Sequence, residues 1–319
     1  MTKQVDPQIA SVLHLLPLKD PADLTPQRAR DELIALANAG KSVPLPIPAH
    51  VAEATIVGAM GNIPARIYKP NRFPCPTVIY FHGGGWVAGD INTADRAARL
   101  LAIEVEAVVV SVDYRRPPET PFPGPFEDCV AAVQWAATNI ASLGGDGSRL
   151  GVAGDSAGAN LAAAVTQFSR TAGPHLKGQL LVYPPTDLVG KYADETENAR
   201  FALRAENADG YFLTMESMRF FTHHYLTSVA SERDPRASPL RAQSFSDLPP
   251  AVICTAEFDP LRDEGEAYAR ALEAAGSRVI YFREPGMIHG YFALGTVSPA
   301  ALEASTRGRA AFKSILHEA

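Results

Sequence analysis

Leu150-Gly151-Val152-Ala153-Gly154-Asp155-Ser156-Ala157-Gly158 is the stretch on which the reading of this chain turns. Its first four residues are an apolar run of strand type. Beyond it Leu161, Ala164, Val165 and Phe168 recur at helical spacing. Between strand and helix lies the pattern G-x-S-x-G, which sets a serine on a sharp turn with its hydroxyl projecting above a sheet. Glycines 154 and 158 permit the turn and the close approach of neighbouring backbone. The pattern alone is short enough to arise by chance. The flanking strand and helix separate it from a glycine-rich helix start that Ser156 merely caps.

Outward from this turn, strand and helix patterns alternate. Strand-type runs at 77–81, 107–112, 150–153, 178–183, 251–255 and 278–282 are separated by helical periods at 93–105, 126–140, 157–168 and 262–275, and a last helix is expected over 299–317. Continuous β-branched runs between helices mean strands buried on both faces, hence a mostly parallel sheet flanked by helices. Two further runs within 54–69 flank Met60-Gly61-Asn62 and read as a hairpin. Residues 1–50 end in Pro44-Leu45-Pro46-Ile47-Pro48, which cannot be regular helix, and form an appendage to the core. The alternation breaks at 187–226, where helical patterns and seven aromatics (Tyr192, Phe201, Tyr211, Phe212, Phe220, Phe221 and Tyr225) replace any strand. The expected organisation is a core over 51–186 and 227–319, with 1–50 and 187–226 covering it as a helical cap.

Composition narrows the partners. A net charge of −6 without blocks of like charge argues against a nucleic acid or an anionic membrane surface. No run approaches the roughly 18 apolar residues that span a bilayer. Cys75, Cys129 and Cys254 are odd in number and lack metal-ligand spacing, which suggests neither a disulfide framework nor a zinc site. The apolar stretch 9–16 is interrupted by His14 and lacks a cleavage site, so the expected setting is cytoplasmic.

A serine hydroxyl near neutral pH needs a base, and the base needs an orienting acceptor. Of eight histidines, only His289, in Met287-Ile288-His289-Gly290-Tyr291, sits in a glycine-flanked loop just beyond a late strand, at the edge where parallel-sheet sites lie. For the acceptor, Asp259 follows the strand 251–255, and Pro260 holds it on the loop before the next helix. Asp263 and Glu264 fall in the first helical turn, where acids complement the helix dipole. The order Ser156, Asp259, His289 is the one expected of a hydrolase built on this kind of sheet. His82-Gly83-Gly84-Gly85-Trp86 follows the strand 77–81 and leaves backbone N–H groups unobstructed. Gly83, Gly84 and Gly85, with Ala157, are the candidate donors to a developing oxyanion. A phosphate loop would require a lysine element that is absent here.

Together these motifs, with Asp259-Pro260-Leu261-Arg262-Asp263-Glu264-Gly265, Asp113-Tyr114-Arg115 and Ser238-Pro239-Leu240, resemble the bacterial hormone-sensitive-lipase-like esterases from about Ile67 onward. The resemblance implies an α/β-hydrolase fold with a cap and a cofactor-free carboxylic ester hydrolase. It also implies a small-molecule ester of short to medium acyl chain as substrate, and it leaves a homodimer open. Amide or lactone hydrolysis by the same residues, and ligand binding without catalysis on the same scaffold, stand as alternatives. The chain departs from the family pattern at Arg116-Pro117-Pro118, at Tyr291 where phenylalanine is common, and at Glu284 where an aromatic is common. Glu284 reads as an exposed carboxylate beside Arg283.

Overall fold

Valine-rich segments flanked by helices give the sheet that this pattern demands. The structure, a computed structural model, describes residues 4–16, 24–39 and 43–318. In chain order, α1 (Pro7–Val12) and α2 (Pro26–Ala39) precede the hairpin β1 (His50–Gly58) and β2 (Gly61–Lys69). Then come β3 (Cys75–Phe81), α3 (Asp95–Glu104), β4 (Val108–Val112), α4 (Gly124–Leu143), β5 (Gly145–Asp155), α5 (Ala157–Ala172) and β6 (Gly178–Val182). The short helices α6 (Glu195–Asn198) and α7 (Leu203–Glu206), followed by α8 (Met215–Tyr225) and α9 (Val229–Arg233), lead to β7 (Ala251–Phe258), α10 (Arg262–Ala274), β8 (Val279–Ile288) and α11 (Pro299–His317).

The eight strands form one sheet in the order β1-β2-β4-β3-β5-β6-β7-β8. β1 and β2 pair antiparallel, β2 meets β4 antiparallel, and every later pairing is parallel. β3, β4 and β6 are buried along their whole length, as strands covered on both faces must be. This is the α/β-hydrolase fold expected from the sequence.

Three expectations need adjustment. The hairpin turns at Ala59-Met60, with Gly58 opposite Gly61, so the turn lies earlier than Met60-Gly61-Asn62. β5 starts at Gly145 rather than Leu150, and its register against β3 slips between Cys75 and Thr77. β8 runs on to Ile288 instead of ending near residue 282, so Glu284 lies inside a strand. There it is 2% exposed and pairs with Arg307 of α11 at 2.5 Å. The reading of Glu284 as an exposed carboxylate is therefore corrected: strand alternation turns it inward, and an arginine from the last helix neutralises it.

Within 187–226 the structure places short helices and no strand. The segment is tied to the core by a buried ion pair. Arg204, on α7, meets Glu264 of α10, with side chains 1% and 0% exposed. Arg204 also donates to the Asp187 carbonyl at 2.7 Å and lies over the Tyr192 ring at 4.3 Å, while the Tyr192 hydroxyl donates to Glu264 at 2.8 Å. Burial raises the Glu264 pKa to about 7, against the pull of Arg204. Asp263 accepts from the Leu203 amide at 3.0 Å. These two acids, assigned from sequence to the helix dipole, also fasten the 187–226 segment.

Because removing Glu264 strands the buried charge of Arg204, which cannot be neutralised by losing a proton, Glu264→Leu should destabilise the fold by about 3–5 kcal/mol. Urea unfolding at pH 7 checks this, and a loss below about 1 kcal/mol, the scale of an exposed pair, would show that the pair is not buried in solution.

Candidate active site

Parallel strands deliver their C-terminal ends to one edge, and β3, β5, β6, β7 and β8 end at this site. Ser156 follows β5 directly and opens α5 with φ 52° and ψ −122°, outside the helical region. Such a conformation persists only where the surroundings enforce it. Here the Ser156 amide donates to Val182 O at 2.9 Å, and glycine 158 packs so closely on β3 that a Cβ would lie 1.9 Å from Phe81 O. Asp259 follows β7 and His289 follows β8.

The structure brings the three together. The Ser156 hydroxyl lies 2.8 Å from His289 Nε2, and His289 Nδ1 lies 2.7 Å from Asp259 Oδ2. Asp259 is fully buried and His289 is 4% exposed. A carboxylate can only accept, so the imidazole proton sits on Nδ1 and Nε2 is left to accept from the serine. The other carboxylate oxygen, Oδ1, accepts from the Leu261 amide at 2.9 Å, which fixes the acid on its loop. Asp263 does not reach the histidine; its partners are the Leu203 amide and Arg262.

The glycine loop lies beside Ser156, and its amides are not equivalent. The Gly83 N–H donates to Asp155 Oδ1 at 3.1 Å. Gly83 is thereby corrected as an oxyanion donor, because its hydrogen is already committed. The amides of Gly84, Gly85 and Ala157 have no protein acceptor among the described residues. Gly84, at φ 123°, accepts from the Ala88 amide at 2.8 Å, which closes the loop into a tight turn.

Sequence reasoning missed several residues that shape this site. Asp155 occupies a free position of the serine motif, yet its carboxylate is half-buried and also accepts from the Tyr80 hydroxyl at 2.6 Å. Burial pushes the Asp155 carboxyl above the usual range, opposed by the bonds from Tyr80 and Gly83. The Tyr183 ring tilts against His289 at 4.4 Å and meets Tyr291 edge-on at 5.5 Å. Tyr183 ends the run predicted at 178–183, and only its tertiary neighbours reveal the contact.

A cavity of about 750 Å³ opens above Ser156 and His289. Its walls include Leu33 and Leu36 of α2, Phe212 and Phe221 from the segment 187–226, and Phe292, Leu294 and Val297 after His289. Phe221 sits on Gly85 and Phe212 on Gly290, at 2.3 Å and 3.1 Å from where a Cβ would stand. Arg30 secures α2 over the core by donating to Val87 O at 3.0 Å and Pro117 O at 2.9 Å and by two hydrogen bonds to the Glu119 carboxylate. No cluster of His, Cys, Asp and Glu suited to a metal occurs among the described residues, and no helix among them is long and apolar enough to cross a membrane.

A family model described as alpha/beta hydrolase fold matches residues 78–293. The chain belongs to that family. Carboxylesterase NlhH of Mycobacterium tuberculosis is 40% identical over 98% of this chain and 97% of its own length. Esterase LipI of the same organism is 38% identical over 98% of this chain and 96% of its own length. Among solved structures, the hyperthermophilic esterase of the archaeon Pyrobaculum calidifontis superposes with a TM-score of 0.91 at 36% identity, covering 98% of this chain and 99% of that one. EstE1, a thermostable carboxylesterase cloned from a metagenomic library, gives 0.86 at 38% identity, covering 93% and 99%. At this similarity over the full length the chain is a carboxylesterase of the hormone-sensitive-lipase-like group.

His82, at the head of the glycine loop, is 2% exposed and stacks on Tyr114 at 4.4 Å. Burial lowers its pKa from 6.5 to about 4, so the folded enzyme holds it neutral. A depressed histidine pKa confers stability that is complete above 6.5 and is lost as pH falls through 4, here on the order of 3 kcal/mol. Urea unfolding across that window should therefore show a shallower pH dependence for His82→Gln than for the parent. Equal slopes would place a charged or solvated ring at this position.

Proposed function

We propose that the enzyme hydrolyses carboxylic esters of short to medium acyl chain through a covalent acyl-enzyme on Ser156. The observation that carries this reading is the unbroken hydrogen-bonded sequence from Ser156 Oγ through His289 to buried Asp259. His289 takes the serine proton as Ser156 attacks the ester carbonyl, and Asp259 holds the imidazole in the required tautomer and stabilises the imidazolium. The tetrahedral oxygen is received by the amides of Gly84, Gly85 and Ala157, the last at the N-terminus of α5, where the helix dipole favours negative charge. His289 then protonates the departing alcohol, and a water activated by the same ring releases the acid.

Turnover should disappear in Ser156→Ala with the fold retained. Asp259→Asn should lower kcat by about 10⁴, since an amide at this position favours the wrong tautomer. Asp263→Asn, which touches the Leu203 amide and Arg262 but not His289, should cost far less. A crippled Asp263 variant beside a near-normal Asp259 variant would reverse the assignment of the acid.

The segments 1–50 and 187–226 act in this reading as the cap that selects the acyl chain. Their support is the placement of α2, Phe212 and Phe221 in the cavity wall. Each methylene that finds room gains about 0.8 kcal/mol, and none is gained once the wall is reached. Activity on p-nitrophenyl esters should peak at about two to eight carbons for a cavity in the ordinary ligand-site range. Removing residues 1–40 should flatten that preference. A rate rising smoothly to palmitate, or an unchanged profile after the deletion, would exclude the cap from selection.

A further inference from the structure

An oxyanion hole drawn from two chain segments works only if their spacing is held, because a site must keep its geometry to about 0.5 Å to be effective. Here Ala157 belongs to the turn after β5, whereas Gly84 and Gly85 belong to the loop after β3. Two side-chain hydrogen bonds tie that loop to the serine turn and its helix. Downstream, Trp86 Nε1 donates to Asn160 Oδ1 of α5 at 3.2 Å, with both residues fully buried. Upstream, the Gly83 amide donates to Asp155, the residue immediately before Ser156. The two donor glycines are suspended between these fastenings.

The upstream fastening is itself braced. Tyr80, 2% exposed on β3, donates its hydroxyl to the same Oδ1 that receives the Gly83 amide. The second oxygen, Oδ2, lies so close to Gly83 that a Cβ there would stand 2.5 Å from it. This gives position 83 a reason to be glycine that has nothing to do with binding an oxyanion. Asp155 also lines the reaction cavity, which places this link next to the reacting atoms.

We propose that Asp155 is a positioning residue: its carboxylate, braced by Tyr80, holds the Gly83 amide and so sets the Gly84 and Gly85 amides against that of Ala157. The inference rests on the reading of those three amides as oxyanion donors. Asp155 needs to supply an accepting oxygen at one place and not a charge, so an asparagine should serve nearly as well. An alanine should not.

The test compares Asp155→Ala, Asp155→Asn and Tyr80→Phe with the parent enzyme, using a p-nitrophenyl ester for kinetics and a trifluoromethyl ketone that forms a hemiketal oxyanion on the serine. Asp155→Ala should lower kcat about 100-fold, the scale of a lost oxyanion donor, with KM within about twofold. Its affinity for the ketone should fall by a similar factor, as expected of a group that acts only when the oxyanion forms. Asp155→Asn should restore kcat to within about threefold of the parent, and Tyr80→Phe should fall between the two at about tenfold. Loss through KM alone, or kcat of Asp155→Ala within about threefold of the parent, would overturn the proposal. An Asn variant as damaged as the Ala variant would overturn it as well, because charge would then be what matters. If the Ala variant does not fold, Tyr80→Phe decides: a parental kcat overturns the proposal, and a lowered kcat at unchanged KM supports it. Full turnover by Ser156→Ala would instead contradict the underlying reaction.

Discussion

The contact of the serine turn with the end of β3 is the constraint on which the site depends. Glycine 158 lies against the carbonyls of Phe81 and His82, where any side chain would collide with backbone. That approach lets α5 begin immediately after β5 and holds Ser156 at its positive φ of 52°. It also brings the serine turn beside the glycine loop, as the proposed oxyanion site drawn from both requires. Backbone strain at Ser156 is sustained by the sheet on either side of it, with β3 and β6 as the neighbours of β5.

A second dependence runs from the segment 187–226 into the loop that carries the acid. Leu203, Arg204 and Asn207 reach Asp263, Glu264 and the Asp259 carbonyl respectively, the last at 3.4 Å. The segment that walls the cavity with Phe212 and Phe221 thus also holds the acid loop. The wall of the cavity and the orientation of the imidazole share one set of contacts, which is why the buried pair at Arg204 and Glu264 matters beyond its own net energy.

The parts legible in the sequence were those that backbone geometry imposes locally. A strand, a G-x-S-x-G turn and a helix cannot be mistaken once adjacent, and a proline after Asp259 marks the end of β7 without any knowledge of neighbours. The glycine loop announced itself by composition. What stayed hidden depended on who lies opposite. Glu284 is charged and reads as surface, but β8 runs past it and its partner Arg307 lies 23 residues later, on α11. Gly83 looked equivalent to its two neighbours until Asp155 took its hydrogen. Tyr183 reads as a strand end, and only the fold sets its ring against His289.

The proposed reaction requires Ser156 to become acylated. The direct measurement is mass spectrometry of the enzyme quenched in acid during turnover of p-nitrophenyl acetate, followed by proteolysis and location of the adduct. An acetyl group on the peptide containing Ser156, absent after Ser156→Ala and chased away by time, is the predicted result. Turnover with no acyl adduct at any time, or an adduct on another residue that forms and decays at the catalytic rate, would contradict it.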